Sequence, residues 1–193
     1  LNGEVQHGVT WHMIEGGVDE GRILAQEIFD IRPTDTAFTL NTRCFEAGVQ
    51  SFATVLDMLE SSAPDAIVQD LSQRSYFALA QRPDNHGFVD HTHTCEEALR
   101  LIRALDHGPY WNPLCSAKLR IGSEIIHLGS AETDSALKGR AGEVLALKAR
   151  TLTLGLADGA LRFNDVVGDL ARISIGDMAV PQALSDRVQS QLQ

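Results

Sequence analysis

The sequence predicts an α/β protein in which two strands and a helix are followed by a small β-barrel. Two apolar runs of strand type flank a glycine-containing turn within residues 8–26. Apolar residues then recur at helical spacing through residues 45–59, and short apolar runs separated by glycine turns fill residues 117–163. Five short strands with glycine turns favour a closed or nearly closed barrel.

The first of these features is the stretch GVTWHMIEGGVDEGRILAQ, residues 8–26. Its two ends carry β-type apolar residues, whereas Gly16, Gly17 and Gly21 permit a tight connection between them. The stretch is therefore interpreted as strand, loop, strand. Asp19 lies inside the loop, where neighbouring glycines allow a ligand to approach the backbone closely.

His12 lies on the incoming strand, seven positions before Asp19. The two side chains could share one cleft, with the imidazole as hydrogen-bond donor and the carboxylate as proton acceptor or orienting group. A half-buried strand histidine and a turn aspartate that caps its own backbone would give the same spacing. Spacing alone leaves both interpretations open.

The same stretch resembles the segment Gly-Val-Thr-x-His, six residues, then Asp-x-Gly-x-Ile of the folate-dependent formyltransferases, the family that includes methionyl-tRNA formyltransferase. The resemblance implies formyl transfer from 10-formyltetrahydrofolate to an amine, on a Rossmann-like domain. Asp19 then matches the catalytic aspartate, and His12 matches a histidine found in many members. Gly17, Val18 and Gly21 are the residues expected to bind the folate cofactor.

The family also has an Asn-x-His pair and a Ser-Leu-Leu-Pro-like loop upstream of this segment, and neither occurs in this sequence. The expectation is a rear fragment of a formyltransferase, active only within its full-length parent. The acceptor is expected to be a small or carrier-bound amine, such as an aminoacyl group or an amino sugar. The alternative is a non-catalytic binding or scaffold module of a larger biosynthetic protein.

Composition narrows the possible partners. The chain has 193 residues, 44% of them hydrophobic, with a formal net charge of −10 that lies mostly in residues 1–87. No Lys and Arg cluster suits a nucleic acid, and no apolar run approaches the roughly 18 residues of a membrane span. The three cysteines lack CxxC spacing and no metal centre is expected, so a reducing cytoplasm fits best.

The remaining chain divides into segments of different character. A helix is predicted to begin between Thr36 and Thr39, with a large apolar stripe packed in the core. Thr94 and Glu97 form a capping box at the start of a second helix. The following GPYWNPLCSAKL resembles the entry to the family's C-terminal barrel of the OB type, in versions attached to biosynthetic assembly proteins. The predicted boundaries are 1–60 for the rear of the catalytic domain, 61–87 for a linker, 88–170 for the barrel and 171–193 for a tail or linker to neighbouring domains.

Overall fold

The fold is described from a computed structural model that covers residues 1–61 and 65–180. These residues form a mixed α/β structure with few helices and several small sheets, so the predicted α/β class is confirmed. The chain divides into a front unit, Asn2–Gln81, and a rear unit that begins at Arg82. No helix in the described part of the chain is long and apolar enough to cross a membrane.

The front unit begins with an antiparallel hairpin of β1 (Gln6–His12) and β2 (Ile23–Asp30). The predicted order of strand, loop and strand is therefore found. The register shifts by one residue between Trp11 and His12, which leaves Leu24 as the extra residue of a β-bulge. A bulge bends the local strand, and this one lies at the point where the hairpin opens into its loop.

Helix α1 (Ala37–Glu60) follows β2 and begins as predicted. Thr36 caps its first turn, and Thr39 completes a capping box with it. The helix turns its small residues toward the hairpin, because Trp11 Nε1 donates hydrogen bonds to Ser51 Oγ at 3.1 Å and to the carbonyl of Gly48 at 3.3 Å. Small residues at these positions let the helix backbone approach the indole ring closely.

The large apolar stripe of α1 is exposed, so the prediction that it forms core packing was wrong. Phe45 is 70% exposed and Val49 is 76% exposed. The buried face consists of Gly48, Ser51 and Val55, which recur at helical spacing one position away from the stripe. The packed face is thus the one with small residues, which a search for large apolar side chains does not detect.

The segment predicted as a linker has ordered contacts in its described part, which resumes at residue 65 after residues 62–64. Ile67 and Ile23 exchange two backbone hydrogen bonds, of 2.8 and 2.9 Å. A 3₁₀ turn, Leu71–Gln73, follows, and the Asp70 side chain caps it. The stretch after residue 65 is therefore attached to the first residue of β2.

The rear unit contains helix α2 (Cys95–Leu105), which has the predicted Thr94 and Glu97 capping box. Two antiparallel sheets accompany it, one of two strands and one of four in the order β5-β8-β7-β6. Isolated bridges join Ile121 of the two-stranded sheet to Ala179, and Met178 to Glu143 beside the four-stranded sheet. Its strands are β3 (Lys118–Ile121), β4 (Glu124–His127), β5 (Ala131–Thr133), β6 (Val144–Lys148), β7 (Thr151–Gly155) and β8 (Ala160–Phe163).

The sequence predicts strands at 117–121, 124–128, 143–148, 151–156 and 160–163. These match five of the six strands to within one residue at each end, and the short β5 was not predicted. The strands do not close into a barrel within residues 82–180, so the OB-type barrel is not confirmed. The predicted tail over 171–193 lies outside the described residues from Pro181 onward.

Candidate active site

The acid-bearing loop, residues 13–22, connects the two strands of the hairpin. Its base is closed by Met13 N, which donates to the carbonyl of Arg22 at 2.9 Å, and by an ion pair of 2.9 Å between Arg22 and Glu15. Gly21 is buried at this base, and a Cβ there would lie 1.7 Å from the carbonyl oxygen of Met13. Only glycine allows the two sides of the loop to approach this closely.

His12 and Asp19 meet at the mouth of the loop, as the sequence predicted they could. Nε2 of His12 lies 3.5 Å from Oδ1 of Asp19, and the two side chains are 27% and 77% exposed. Asp19 has a φ of 59°, in the left-handed region. Aspartate and asparagine tolerate this conformation better than other residues with a side chain.

The contact with Met13 determines how the His12 ring faces the aspartate. Nδ1 lies 2.9 Å from the carbonyl oxygen of Met13, which can only accept a hydrogen bond, so Nδ1 carries the proton. In the neutral ring Nε2 is then an acceptor. Nε2 is thus the ring nitrogen that faces the Asp19 carboxylate, and both groups can contact one ligand at the mouth of the loop.

The three residues predicted to bind the cofactor take different positions in the loop. Val18 is 79% exposed. Gly17 is exposed, and a Cβ there would lie 2.5 Å from the Glu20 carboxylate. Gly21 is buried and packs against the carbonyl of Met13. Val18 and Gly17 are therefore accessible to a ligand, whereas Gly21 shapes the loop.

Two side chains that the sequence analysis missed contact this loop from the segment after residue 65. Gln69 Nε2 donates to the carbonyl oxygens of Asp19 at 3.1 Å and Gly21 at 2.6 Å. Arg74 donates to Glu20 Oε1 at 2.7 Å and to the carbonyl of Val18 at 3.3 Å. The sequence offers one indication of these contacts, which is Arg74, because a cation in a strongly acidic region is expected to pair with an acid.

An apolar groove lies on a different part of the front unit, between β1 and α1. Its volume is about 590 Å³, and its walls contain none of the predicted site residues. The thiol of Cys44 faces it, and burial raises the pKa of that thiol although the charge of Arg43 lowers it. The lining residues are Val9, Trp11, Asn41, Cys44, Phe45, Gly48, Val49 and Phe52.

Metal ligation is not supported by the geometry. Within residues 1–61 and 65–180, no group of three or more His, Cys, Asp or Glu side chains could hold a metal ion. Asp90 instead accepts hydrogen bonds from Thr92 and Asn85 and lies 3.3 Å from His93. Burial raises the pKa of Asp90, but these hydrogen bonds and the charge of His93 outweigh it and lower the pKa.

Comparison with known proteins supports the resemblance of the loop. Residues 1–56 match the family model described as formyl transferase. HypX from Aquifex aeolicus in complex with tetrahydrofolic acid has a TM-score of 0.65 and 22% identity, over 98% of this chain and 31% of that one. The N-formyltransferase from Helicobacter canadensis, in complex with folinic acid and dTDP-3-aminofucose, has a TM-score of 0.62 and 22% identity, over 85% of this chain and 57% of that one.

At these identities the solved structures establish the fold, and the family model identifies the segment that contains His12 and Asp19. The formyltransferase family model matches residues 1–56, which include both of these residues. The chain spans about a third of the length of HypX and little more than half of the sugar enzyme.

Proposed function

We propose that the chain is the rear part of a formyltransferase that moves a formyl group from 10-formyltetrahydrofolate to a primary amine. The observation that carries the proposal is the contact of 3.5 Å between His12 and Asp19 within the matched segment. In this proposal residues 1–60 belong to the catalytic domain, and residues 61–87 connect it to the small β-sheets of residues 88–170. The three cysteines are free, which suits a reducing cytoplasm.

The proposed chemistry needs an amine to lose a proton while it attacks the formyl carbon. The carboxylate of Asp19 is exposed and accepts that proton, directly or through a water. Nε2 of His12, which lies 3.5 Å from that carboxylate, contacts the same water or amine and orients it. The carbonyl oxygen becomes negative in the tetrahedral intermediate, and the upstream Asn-x-His of the family would supply its donors, at about 3–4 kcal/mol for each.

The fold relatives support the proposed donor and acceptor. One was solved with tetrahydrofolic acid and another with folinic acid, which supports a formyl-folate donor. The second also holds dTDP-3-aminofucose, and a further relative is a sugar 3N-formyltransferase solved with dTDP. These relatives favour a small-molecule amine as acceptor; a carrier-bound amine is the other possibility. In the site loop Glu15 and Glu20 are paired with arginines, so Asp19 is the acid that remains to attract an amine.

The test changes Asp19 to asparagine in a longer protein that extends this chain upstream through the expected Asn-x-His. Asparagine suits the left-handed backbone at this position, so the substitution removes the charge without straining the loop. Amine-dependent release of tetrahydrofolate should fall by about 10²- to 10⁴-fold. Glu27→Gln, which neutralises an exposed acid of β2, is the matched control and should retain full activity.

Full activity of Asp19→Asn would refute the catalytic assignment. Folate binding without amine-dependent release, in the longer protein with unchanged sequence, would instead favour the binding or scaffold module. Absence of folate binding would refute the folate assignment altogether.

A further inference from the structure

The acid-bearing loop makes few hydrogen bonds of its own. Apart from the bond between Met13 and Arg22 at its base, the backbone bond within it is a long one of 3.4 Å from Glu20 N to the carbonyl of Gly17. The left-handed backbone of Asp19 is intrinsically unfavourable and persists only where surrounding contacts impose it. The conformation of Asp19 therefore depends on groups outside the loop.

The side-chain amide of Gln69 supplies the first of these contacts. Its Nε2 donates to the carbonyls of Asp19 and Gly21, so both amide hydrogens are used on the two residues that flank Glu20. Gln69 is half-buried, and it lies two residues after Ile67, which is bonded to the start of β2. The amide is thus fixed relative to the hairpin that carries His12.

The guanidinium of Arg74 supplies the second contact. Its Nη1 pairs with the Glu20 carboxylate at 2.7 Å, and its Nη2 donates to the carbonyl of Val18. Together the two side chains contact each of the four consecutive residues from Val18 to Gly21. Both come from a segment about 50 residues further along the chain.

We infer that Gln69 and Arg74 are positioning residues, which hold Asp19 at its distance from His12 so that the carboxylate can act. The inference rests on the proposed function of Asp19. Displacement of a catalytic group by about 1 Å can reduce turnover by about 100-fold, so loss of these contacts should act on kcat. Neither residue is placed at the reacting atoms, so kcat should fall by more than the KM for the folate changes, although Arg74 also holds the carbonyl of Val18.

The first experiment measures the loop in this 193-residue chain by hydrogen exchange and mass spectrometry. Gln69→Met keeps the length of the side chain and removes its donors. The amides of Met13, Glu20 and Ile23, which are hydrogen-bonded within or beside the loop, should exchange about five- to tenfold faster in this variant. Gln73→Met, which changes an exposed glutamine of the same segment, is the control and should leave them unchanged. Equal exchange in both variants would overturn the inference, whatever reaction the protein catalyses.

The second experiment measures kcat and KM in the longer protein. Gln69→Met should lower kcat by about 10- to 100-fold, with a smaller change in the KM for the folate. Arg74→Lys keeps the charge opposite Glu20, so it should lose less than Arg74→Met. The exposed Arg32→Met serves as the control for charge.

A double mutant separates positioning from a general structural effect. If Gln69 acts through Asp19, then Gln69→Met should cost nothing further in the Asp19→Asn background. An independent, multiplicative loss would overturn the inference and leave the role of Asp19 intact. A fully active Asp19→Asn would instead refute the proposed function, and the exchange experiment would still decide whether Gln69 and Arg74 hold the loop.

Discussion

At Cys95, burial and one neighbouring carboxylate reverse the effect that a helix N-terminus normally has on the pKa of a thiol. Cys95 is the first residue of α2, and a helix N-terminus ordinarily lowers the pKa of a thiol. Burial and the adjacent carboxylate of Asp158 together raise the pKa of Cys95 to about 11. Asp158 Oδ1 also accepts the backbone N–H of Cys95 at 2.7 Å, so the carboxylate is fixed beside the sulfur.

This arrangement predicts that the Cys95 thiol reacts slowly with alkylating agents and that one substitution makes the reaction faster. At pH 8 a thiol with a pKa near 11 is ionised to about one part in a thousand, against about a quarter for an ordinary cysteine. Asp158→Asn removes the charge and keeps an oxygen for the backbone N–H. In a Cys44→Ser, Cys115→Ser background, alkylation by iodoacetamide at pH 8 should then become severalfold faster. Asp165→Asn is the control, and equal rates for both variants would mean that burial alone sets the pKa.

The candidate site was only partly predictable at the scale of residues. The spacing allowed His12 to lie beside Asp19 but left the alternative open, and the resemblance of the segment to the formyltransferases favoured the pair. The proton position on His12 was not predictable, since it depends on the orientation of the Met13 carbonyl. Gln69 and Arg74 were missed because contacts across some 50 residues leave no periodic signal in the chain.

Helix α1 illustrates, at the scale of an element, why the face that packs was misjudged. Its hydrophobic stripe and its buried face are neighbouring rows of the same helix. Val49 belongs to the stripe, and Val55 belongs to the buried face. Val55 is 4% exposed and Val49 is 76% exposed. The same substitution at the two positions therefore compares a packed site with an open one.

Val55→Ala should lower the free energy of unfolding of the front unit by about 1–2 kcal/mol, because buried methyl groups are lost and a cavity remains. Val49→Ala should change it by less than about 0.5 kcal/mol. The gain in helix propensity is the same in both variants and cancels in the comparison. Urea unfolding followed by Trp11 fluorescence in a Trp111→Phe background measures both, and equal losses would contradict the assigned faces.

Local sequence signals predicted where the helices and strands lie better than they predicted which strands pair with each other. Both helices begin at the expected caps, because a capping box is satisfied within four residues. Strand β8, Ala160–Phe163, was predicted at both ends because the Asp158-Gly159 turn fixes its hairpin. The three-residue β5 was missed since its pairing with β8 is non-local. Sheet closure likewise depends on pairings that no local pattern encodes.

At the scale of the whole molecule, the two units differ in how much apolar surface they bury. Val55 is the one buried hydrophobic residue of the front unit among those described, and all the others follow Arg82. Strands β7 and β8 alone contribute Leu152, Leu154, Leu161 and Phe163, each fully buried. Since burial of apolar surface is the main source of stability, the rear unit should be the more stable of the two.

Native-state hydrogen exchange of the chain tests this difference directly. Backbone amides in β7 and β8 should exchange at least about tenfold more slowly than those in β1 and β2, after correction for intrinsic rates, because they open only with the rear core. Leu152→Ala should cost the rear unit about 2–5 kcal/mol and accelerate exchange in β6 to β8, while the hairpin of β1 and β2 keeps its rates. Val55→Ala should instead accelerate exchange in β1 and β2 and leave the rates in β6 to β8 unchanged. Equal protection of both units in the unsubstituted chain would mean that they open together, and the hairpin that carries His12 and Asp19 would then take its stability from the rear core as well.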